Sequence, residues 1–394
     1  MPTVLLDLSV LSTGARTLGI GRYVADLAVG LVSATLGTRF RVLGVERISL
    51  LGREQVTEDL DAAVTRLRDR RVAIRSHVDW AYRVRLGLTR AARHVAPNLV
   101  HTGHPGATPL GKLVCPRVTT CHDLIPLRYP RQYLTWRDGY HRGRQHLDQR
   151  RYHSATHVIA VSETSANDLV TLLGIPASKI TVVHNGVDLQ RWTSEPGASD
   201  SSIRERLGVA QCSYILSVGD TNWRKNPEGV LRALALARRA LKGHELRLVW
   251  AARLSPVARA KLTALAVSLG VQDALILPGY VSDEDLGALY RGAVAQVFVS
   301  RAEGFGYPAL EAMASGCPVV TSDRSSMAEI AADAAILVDP ESHEAIAEPI
   351  AQLTRDAEER RRWSERGVAR AARFSLEAMA RDTLGVYEQV IARR

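Results

Sequence analysis

Short runs of β-branched and aliphatic residues alternate with longer stretches whose apolar positions recur at helical spacing, along almost the whole chain. That alternation is the signature of parallel α/β architecture. In the first half it predicts strands over Thr3–Val10, Phe40–Val45, Leu99–His101, Arg117–Cys121, His157–Ala160 and Ile180–Val183. Helices are expected between them, at Gly21–Ser33, Tyr133–His153 and Glu163–Leu173 among others. The polar, Gly/Pro/Ser-rich segment Thr193–Ser202 breaks the pattern and is the expected domain boundary. A second series of strands follows at Tyr214–Val218, Leu246–Ala251, Leu275–Leu277, Ala295–Val299, Pro318–Thr321 and Ala335–Val338. Helical patterns run from His343 to Arg373, and a last helix starts at Leu376 with Ser375 as N-cap and Glu377 in an acidic first turn. The pattern predicts two doubly wound parallel-sheet, Rossmann-like domains, residues 1–192 and 204–374, with a cleft outside the carboxyl ends of their strands. Residues 375–394 form a C-terminal helix expected to pack back on the first domain.

Composition changes this picture little. Of 394 residues, 46% are apolar and 23% charged, which excludes disorder and provides a large core. No repeat at solenoid or propeller period is present. The opening MPTVLLDLSV lacks the basic flank and cleavage pattern of a signal peptide, and no apolar run reaches membrane-spanning length. Cys115, Cys121, Cys212 and Cys317 are scattered without a C-x-x-C pair, so neither disulfides nor zinc are expected and a reducing cytoplasm fits.

Charge adds more. The net charge is +10, and residues 1–195 carry all of it, with 26 Lys+Arg against 16 Asp+Glu, concentrated in 66–93 and 128–151. Such a face suits phosphate-bearing partners or the anionic inner face of a membrane. Arg83, Arg85, Arg90 and Arg93, with Trp80 and Tyr82, could form a peripheral membrane contact; a plain solvated Arg-rich surface is the alternative. Nucleic acid is not expected, because no aromatic interleaving or binding motif accompanies the basic runs.

Several motifs fall short. Gly106-A-T-P-L-Gly111-Lys112-Leu113 resembles a phosphate loop, but Leu113 replaces the magnesium-holding hydroxyl and Pro109 removes an amide donor. Gly304-F-Gly306-Y-P-Ala309 matches a dinucleotide fingerprint but comes late in its domain. Asp283-E-Asp285 reads as an acidic helix start rather than a metal site. His101 and His104 lack a third ligand nearby, and no metal site is expected.

The richest segment is Phe298–Thr321, a strand end, a Gly-bearing loop, then Pro308 opening a helix that Gly316 ends. Helix N-termini present unpaired amides and a positive dipole end, so Gly304, Phe305, Gly306 and Tyr307 suit a diphosphate or sugar hydroxyls. Glu303 precedes the turn and Glu311 follows eight residues later. Two carboxylates there make sense as acceptors from the hydroxyls of a sugar and a ribose.

This E-G-F-G-Y-P-A-L-E-A-M-A-S-G-C-P-V-V segment resembles the signature of retaining glycosyltransferases of family 4, which have the GT-B fold of two Rossmann-like domains facing a central cleft. The resemblance extends over nearly the whole chain, through G-I-G-R-Y at Gly19, H-D-L-I-P-L at His122, V-S-E-T-S, N-G-V-D at Asn185, G-D-T-N-W-R-K-N at Gly219 and P-G-Y-V-S-D-E-D at Pro278.

Each matched motif has its own chemistry. Gly219 follows a strand end, so Arg224 and Lys225 can reach the cleft and stabilise the charge of a departing nucleoside diphosphate. In many relatives an Arg directly follows that glycine; here Asp220 stands there, which puts one cationic contact in doubt and leaves Arg224 to compensate. The resemblance places His122 against the donor sugar or its phosphate, and Tyr280 and Val281 against the nucleotide base. Gly19 and Gly21 would let the backbone approach the diphosphate, with Arg22 beside it.

The resemblance therefore implies transfer of a hexose from a nucleoside diphosphate sugar to a hydroxyl acceptor with retention of configuration. It implies neither metal nor other cofactor. The acceptor would be saccharide, lipid-linked or a small molecule, and the motif variants look most like mannosyltransferases, making GDP-mannose the first donor. Two alternatives share the cleft chemistry, a sugar-nucleotide epimerase of the same fold and a non-catalytic nucleotide-sugar-binding partner.

Overall fold

A computed structural model describes residues 1–12, 19–35, 40–45, 57–61, 88–109, 113, 115–133 and 139–393. The chain divides into two compact units, Met1–Gly186 with Phe374–Arg394, and Val187–Arg373.

The first unit holds a seven-stranded sheet of β1 (Thr3–Asp7), β2 (Arg41–Val45), β3 (Thr57–Asp59), β4 (Leu99–Thr102), β5 (Arg117–Cys121), β6 (His157–Ala160) and β7 (Ile180–Val182). Their order is β3-β2-β1-β4-β5-β6-β7, all parallel except β3, which runs antiparallel to β2 at the edge. The second unit holds β8 (Ser213–Val218), β9 (Leu246–Ala251), β10 (Leu275–Gly279), β11 (Ala295–Phe298), β12 (Val319–Ser322) and β13 (Ile336–Val338) in the order β10-β9-β8-β11-β12-β13. Both sheets reverse strand order beside their first strand, the doubly wound arrangement the sequence predicts. Buried on both faces, β1, β8 and β9 are mostly apolar, whereas β4 and β5 carry the buried polar residues His101, Thr102, Thr119 and Thr120.

Two details differ from the sequence pattern. The first strand stops at Asp7, because the Asp7 carboxylate accepts the Ser9 amide at 3.1 Å and turns the chain into the 3₁₀ turn Ser9–Ser12. Of the helix expected over Tyr133–His153, Gly139–Ser154 is helical, and residues 134–138 lie outside the described residues. The units divide at Gly186/Val187 rather than within Thr193–Ser202. That polar segment is tied into the second unit: Trp192 is buried edge-on to Tyr290, and Arg291 binds both the Thr193 carbonyl at 3.1 Å and Asp200.

The helix Leu376–Ala392 belongs to the first unit, capped by Ser375, whose hydroxyl accepts the Ala378 amide at 3.1 Å. It lies on the helix Gly19–Thr35 so closely that a Cβ at Gly30 would stand 2.5 Å from the Leu376 carbonyl oxygen. A buried polar chain ties it down further. The Tyr387 hydroxyl meets His101 Nδ1 at 2.7 Å, His101 Nε2 meets the Thr120 hydroxyl at 2.9 Å, and Thr120 meets the Tyr23 hydroxyl at 2.9 Å. His101 thus has both ring nitrogens hydrogen-bonded inside the fold; among the described residues no group of three or more His, Cys, Asp or Glu side chains that could hold a metal ion occurs.

Burial holds three histidines of this unit neutral, His101 at about 3, His122 at about 4 and His157 at about 4. Unfolded, each takes a proton near its ordinary pKa of ~6.5. Between those values the unfolded chain binds more protons, so stability falls as pH falls. Asp7 opposes this, because burial raises its carboxyl to about 6 and the folded state binds its proton first. Asp168, whose carboxyl burial also raises, acts in the same sense as Asp7, so three histidines stand against two carboxyls and outweigh them. The stability of the first unit, and its melting temperature with it, is expected to drop as pH goes from 7 to 4, the unfolding free energy by up to about 1.4 kcal/mol per pH unit for each proton in excess. A flat or rising melting curve over that range contradicts the assignment.

Candidate functional site

In the second unit the strand order reverses between β8 and β11, and the loops leaving their carboxyl ends carry most of the predicted residues. The chain leaves β8 through Gly219, whose carbonyl accepts from Trp250 Nε1 at 2.9 Å. Asp220 accepts the Asn222 amide at 3.3 Å, and Asn222 in turn accepts the Arg224 amide at 3.1 Å. Two linked turns of this kind wind the chain into the 3₁₀ turn Trp223–Lys225. Asn226 then locks the end. Fully buried, it caps the helix Pro227–Leu241 by accepting from Gly229 at 3.1 Å, and it donates to the carbonyls of Pro340 at 2.7 Å and Val299 at 3.3 Å.

This construction aims Arg224 and Lys225 at the loop after β11. Lys225 Nζ lies 2.7 Å from Glu303 Oε1 and 4.4 Å from the centre of the Phe298 ring. Arg224 Nη1 donates to Glu303 Oε2. Burial would raise the Glu303 carboxyl, but Lys225 and then Arg224 outweigh it and hold the pKa below the ordinary value. Burial lowers Lys225, and Glu303 offsets part of that. The carboxylate stays ionised, and the trio carries one net positive charge. Glu303, read from sequence as an acceptor for hydroxyls, thus has both oxygens engaged with the two cations in this state.

The main chain of Glu303 is held equally firmly. Its amide donates to the Ser325 hydroxyl at 3.0 Å, and its carbonyl accepts from Ser325 Oγ at 2.7 Å and Ser326 Oγ at 2.9 Å. Ser325 sits at φ +61°, ψ −158°, a conformation rarely occupied by residues other than glycine. Three residues past Glu303, Gly306 adopts φ +114° against Met327 and leads into the helix Tyr307–Ala314, whose first turn contains Pro308. Phe305 and Tyr307 flank this glycine, ring against ring at 5.5 Å.

Other predicted residues lie apart from this cluster. Glu311 is buried on the same helix, its Oε2 3.5 Å from the Tyr290 hydroxyl. Tyr280 and Val281 follow β10. Tyr280 is 62% exposed, with the Arg253 guanidinium 5.2 Å from its ring centre. Beside Asp220 and Arg253 a groove of about 490 Å³ runs to Lys261, floored by Leu262 and Leu265. Asp283 and Asp285 form the acidic first turn of the helix Asp283–Gly292, which Ser282 caps.

In the first unit, His122 follows β5. Its Nε2 lies 2.7 Å from the Gly103 carbonyl, which can only accept, so Nε2 carries the proton and Nδ1 is an acceptor. The Tyr23 ring meets it edge-on at 4.8 Å, and Tyr23 belongs to the helix that Gly19 opens, with Gly21 buried two residues on. Arg22 pairs with Asp26 at 3.9 Å. Of the proposed membrane-facing residues, Arg90 and Arg93 are exposed on a helical stretch at 88–95, whereas Trp80, Tyr82, Arg83 and Arg85 lie outside the described residues, as do Gly111 and Lys112. No helix among the described residues is long and apolar enough to cross a membrane.

Sequence reasoning missed Ser325, Ser326 and Phe298. A pair of serines before a helix reads as an ordinary cap, and nothing in their spacing points back across the sheet to Glu303.

Comparison with known proteins identifies the family. Residues 18–191 match the family model Glycosyltransferase Family 4, and residues 201–370 match Glycosyl transferases group 1. The chain is 32% identical over 276 residues to O-antigen chain mannosyltransferase B of Escherichia coli, covering 69% of this chain and 70% of that one. It is 31% identical over 241 residues to the MMP alpha-(1->4)-mannosyltransferase of Mycolicibacterium hassiacum, covering 60% of this chain and 54%, about half, of that relative. The crystal structure of Anabaena Alr3699/HepE in complex with UDP-glucose superposes with a TM-score of 0.73 at 17% identity, covering 99% of this chain and all of that one. The chain belongs to the family 4 glycosyltransferases and has their GT-B fold.

Proposed function

We propose that this glycosyltransferase moves a hexose, mannose in the first instance, from a nucleoside diphosphate sugar to a hydroxyl acceptor with retention of configuration. The observation that carries the reading is the buried cluster of Lys225, Arg224 and Glu303 beside the loop that opens the helix at Tyr307. As the anomeric carbon–oxygen bond breaks, its electron pair passes to the diphosphate. The acceptor oxygen bonds the anomeric carbon from the same face, and its proton goes to a phosphate oxygen. Lys225 and Arg224 neutralise the charge that develops on the diphosphate, the work a divalent metal would otherwise do. Glu303 orients both cations and keeps the cluster's net charge at +1, enough to favour an anion without holding product tightly.

Support for mannose comes from the two mannosyltransferase relatives, and a solved neighbour binds UDP-glucose. Thermal shift and product release with a panel headed by GDP-mannose and UDP-glucose tests donor choice, and a lack of response to every nucleotide sugar defeats the proposal. Glu311 is assigned to the ribose hydroxyls. Glu311→Ala is expected to weaken nucleoside diphosphate binding by about 1–3 kcal/mol, since a carboxylate is a charge-assisted acceptor. Unchanged affinity by calorimetry removes Glu311 from the site.

A further inference from the structure

Among the described residues, most serines that begin helices behave alike, Ser199 being an exception at negative φ without a cap bond. Ser162, Ser255, Ser282, Ser342 and Ser375 all stand at N-caps with negative φ, and each hydroxyl accepts the amide three residues on. Ser325 occupies the same position before the helix Ser326–Ala331 and makes no cap bond. Its backbone is instead at φ +61°, where an L-residue is strained. The hydroxyl goes to the main chain of Glu303, accepting from its amide at 3.0 Å and donating to its carbonyl at 2.7 Å. A hydroxyl has one proton to give and lone pairs to accept, so a single atom closes both groups of that peptide. Ser326 adds a second donor to the same carbonyl at 2.9 Å.

We propose that Ser325 is a positioning residue for the transfer reaction: its strained backbone holds one hydroxyl across both main-chain groups of Glu303 and so fixes the carboxylate against Lys225 and Arg224. The inference rests on the proposed role of Glu303. A normal cap would relax Ser325 but turn its hydroxyl toward its own helix, leaving the peptide at Glu303 unclosed. The fold therefore keeps a local conformation it would not choose, at the residue that holds the main chain of Glu303 beside Lys225 and Arg224. On either side of Ser325 the chain is regular: β12 ends at Ser322 and the next helix starts at Ser326, a second positive-φ residue, Ala332 at φ +48°, coming only at that helix's far end. Loss of the clamp frees the loop carrying Glu303 without touching Lys225, Arg224 or the helix that begins at Tyr307. Turnover should suffer while donor binding, which draws on several other groups, should not.

Ser325→Ala and Ser325→Gly separate positioning from stability. Both remove the hydroxyl, and only glycine releases the strain. Steady-state turnover and KM are measured with the nucleotide sugar that gives the largest thermal shift in the panel, GDP-mannose being tried first, alongside melting temperatures. Both variants are expected to lose about tenfold or more in kcat with KM within about twofold, because a loosened catalytic group costs rate before affinity. Ser325→Gly is expected to melt above Ser325→Ala yet be no faster. Wild-type kcat in either variant overturns the proposal, and so does a glycine variant that regains turnover in step with its melting temperature. Glu303→Gln distinguishes the two levels. If it is slow and Ser325→Ala is not, the positioning role fails alone; if it turns over normally, the role of Glu303 fails. Combined with Glu303→Gln, the Ser325→Ala change should cost little more.

Discussion

Lys225→Ala is expected to reduce kcat by a factor of about 10²–10³ while leaving donor KM nearly unchanged, the scale seen when one preorganised charge-stabilising group is removed. The asymmetry follows from when the charge appears. The diphosphate gains negative charge as the sugar leaves, so a cation beside it contributes more in the transition state than in the bound complex. Lys225 is well placed for that. Its side chain is only 11% exposed, it lies against the Phe298 ring, and Glu303 at 2.7 Å fixes its direction. Little solvent screens it, and little reorganisation accompanies the reaction. Truncation also leaves Glu303 with Arg224 alone, so its carboxyl pKa should rise and some stability should be lost, as when one partner of a buried pair is deleted. Steady-state kinetics over a range of donor concentrations, with a melting curve to confirm folding at the assay temperature, reads both effects. A raised KM with intact kcat would assign Lys225 to ground-state binding and remove it from leaving-group stabilisation.

How much of this cluster is visible in the sequence depends on which contacts are local. Helix starts are local, and Ser375 is read correctly because its hydroxyl needs only the amide of Ala378. The parallel strands of both sheets are equally plain, since burial leaves short runs rich in β-branched and aliphatic residues. The pairing of Lys225 with Glu303 is not local. It requires β8 and β11 to be neighbours and two loops to turn toward each other, the first steered by Asp220, Asn222 and the buried Asn226. Sequence places both residues among the candidates but leaves them as separate cations and acid. The division between units is not local either, and the chain divides at Gly186/Val187, a few residues before the polar stretch. Thr193–Ser202 is polar and Gly/Pro-rich, yet Arg291 reaches it from a distant helix and holds it to the second unit. The edge strand Thr57–Asp59 was missed because three polar residues carry no period to detect.

The glycines of the loop after β11 show the same limit from the other side, and one of them sets the second large effect. Gly306→Ala is expected to destabilise the second unit by about 2–5 kcal/mol, from left-handed backbone strain of roughly 1–2 kcal/mol and overpacking of roughly 1–3 kcal/mol. Sequence alone marks Gly306 as a turn residue. The structure adds that a Cβ there would stand 1.9 Å from Met327 Cε, and Met327 is fully buried, so its side chain has little room to retreat. Met327 is the second residue of the helix Ser326–Ala331, which Ser325 precedes, so an alanine at 306 pushes against the element whose serines hold Glu303. Activity should therefore fall along with stability, through displacement of that clamp. At about 2–4 °C per kcal/mol for a unit of this size, the melting temperature should drop by several degrees. A double-mutant cycle locates the cause. If the clash with Met327 matters, Met327→Ala costs less in the Gly306→Ala background than in the wild type, because the cavity it opens is partly filled. Additive costs would leave backbone strain as the whole effect, and an unchanged melting temperature in Gly306→Ala would mean that the loop relaxes freely, which a firmly held Glu303 does not permit.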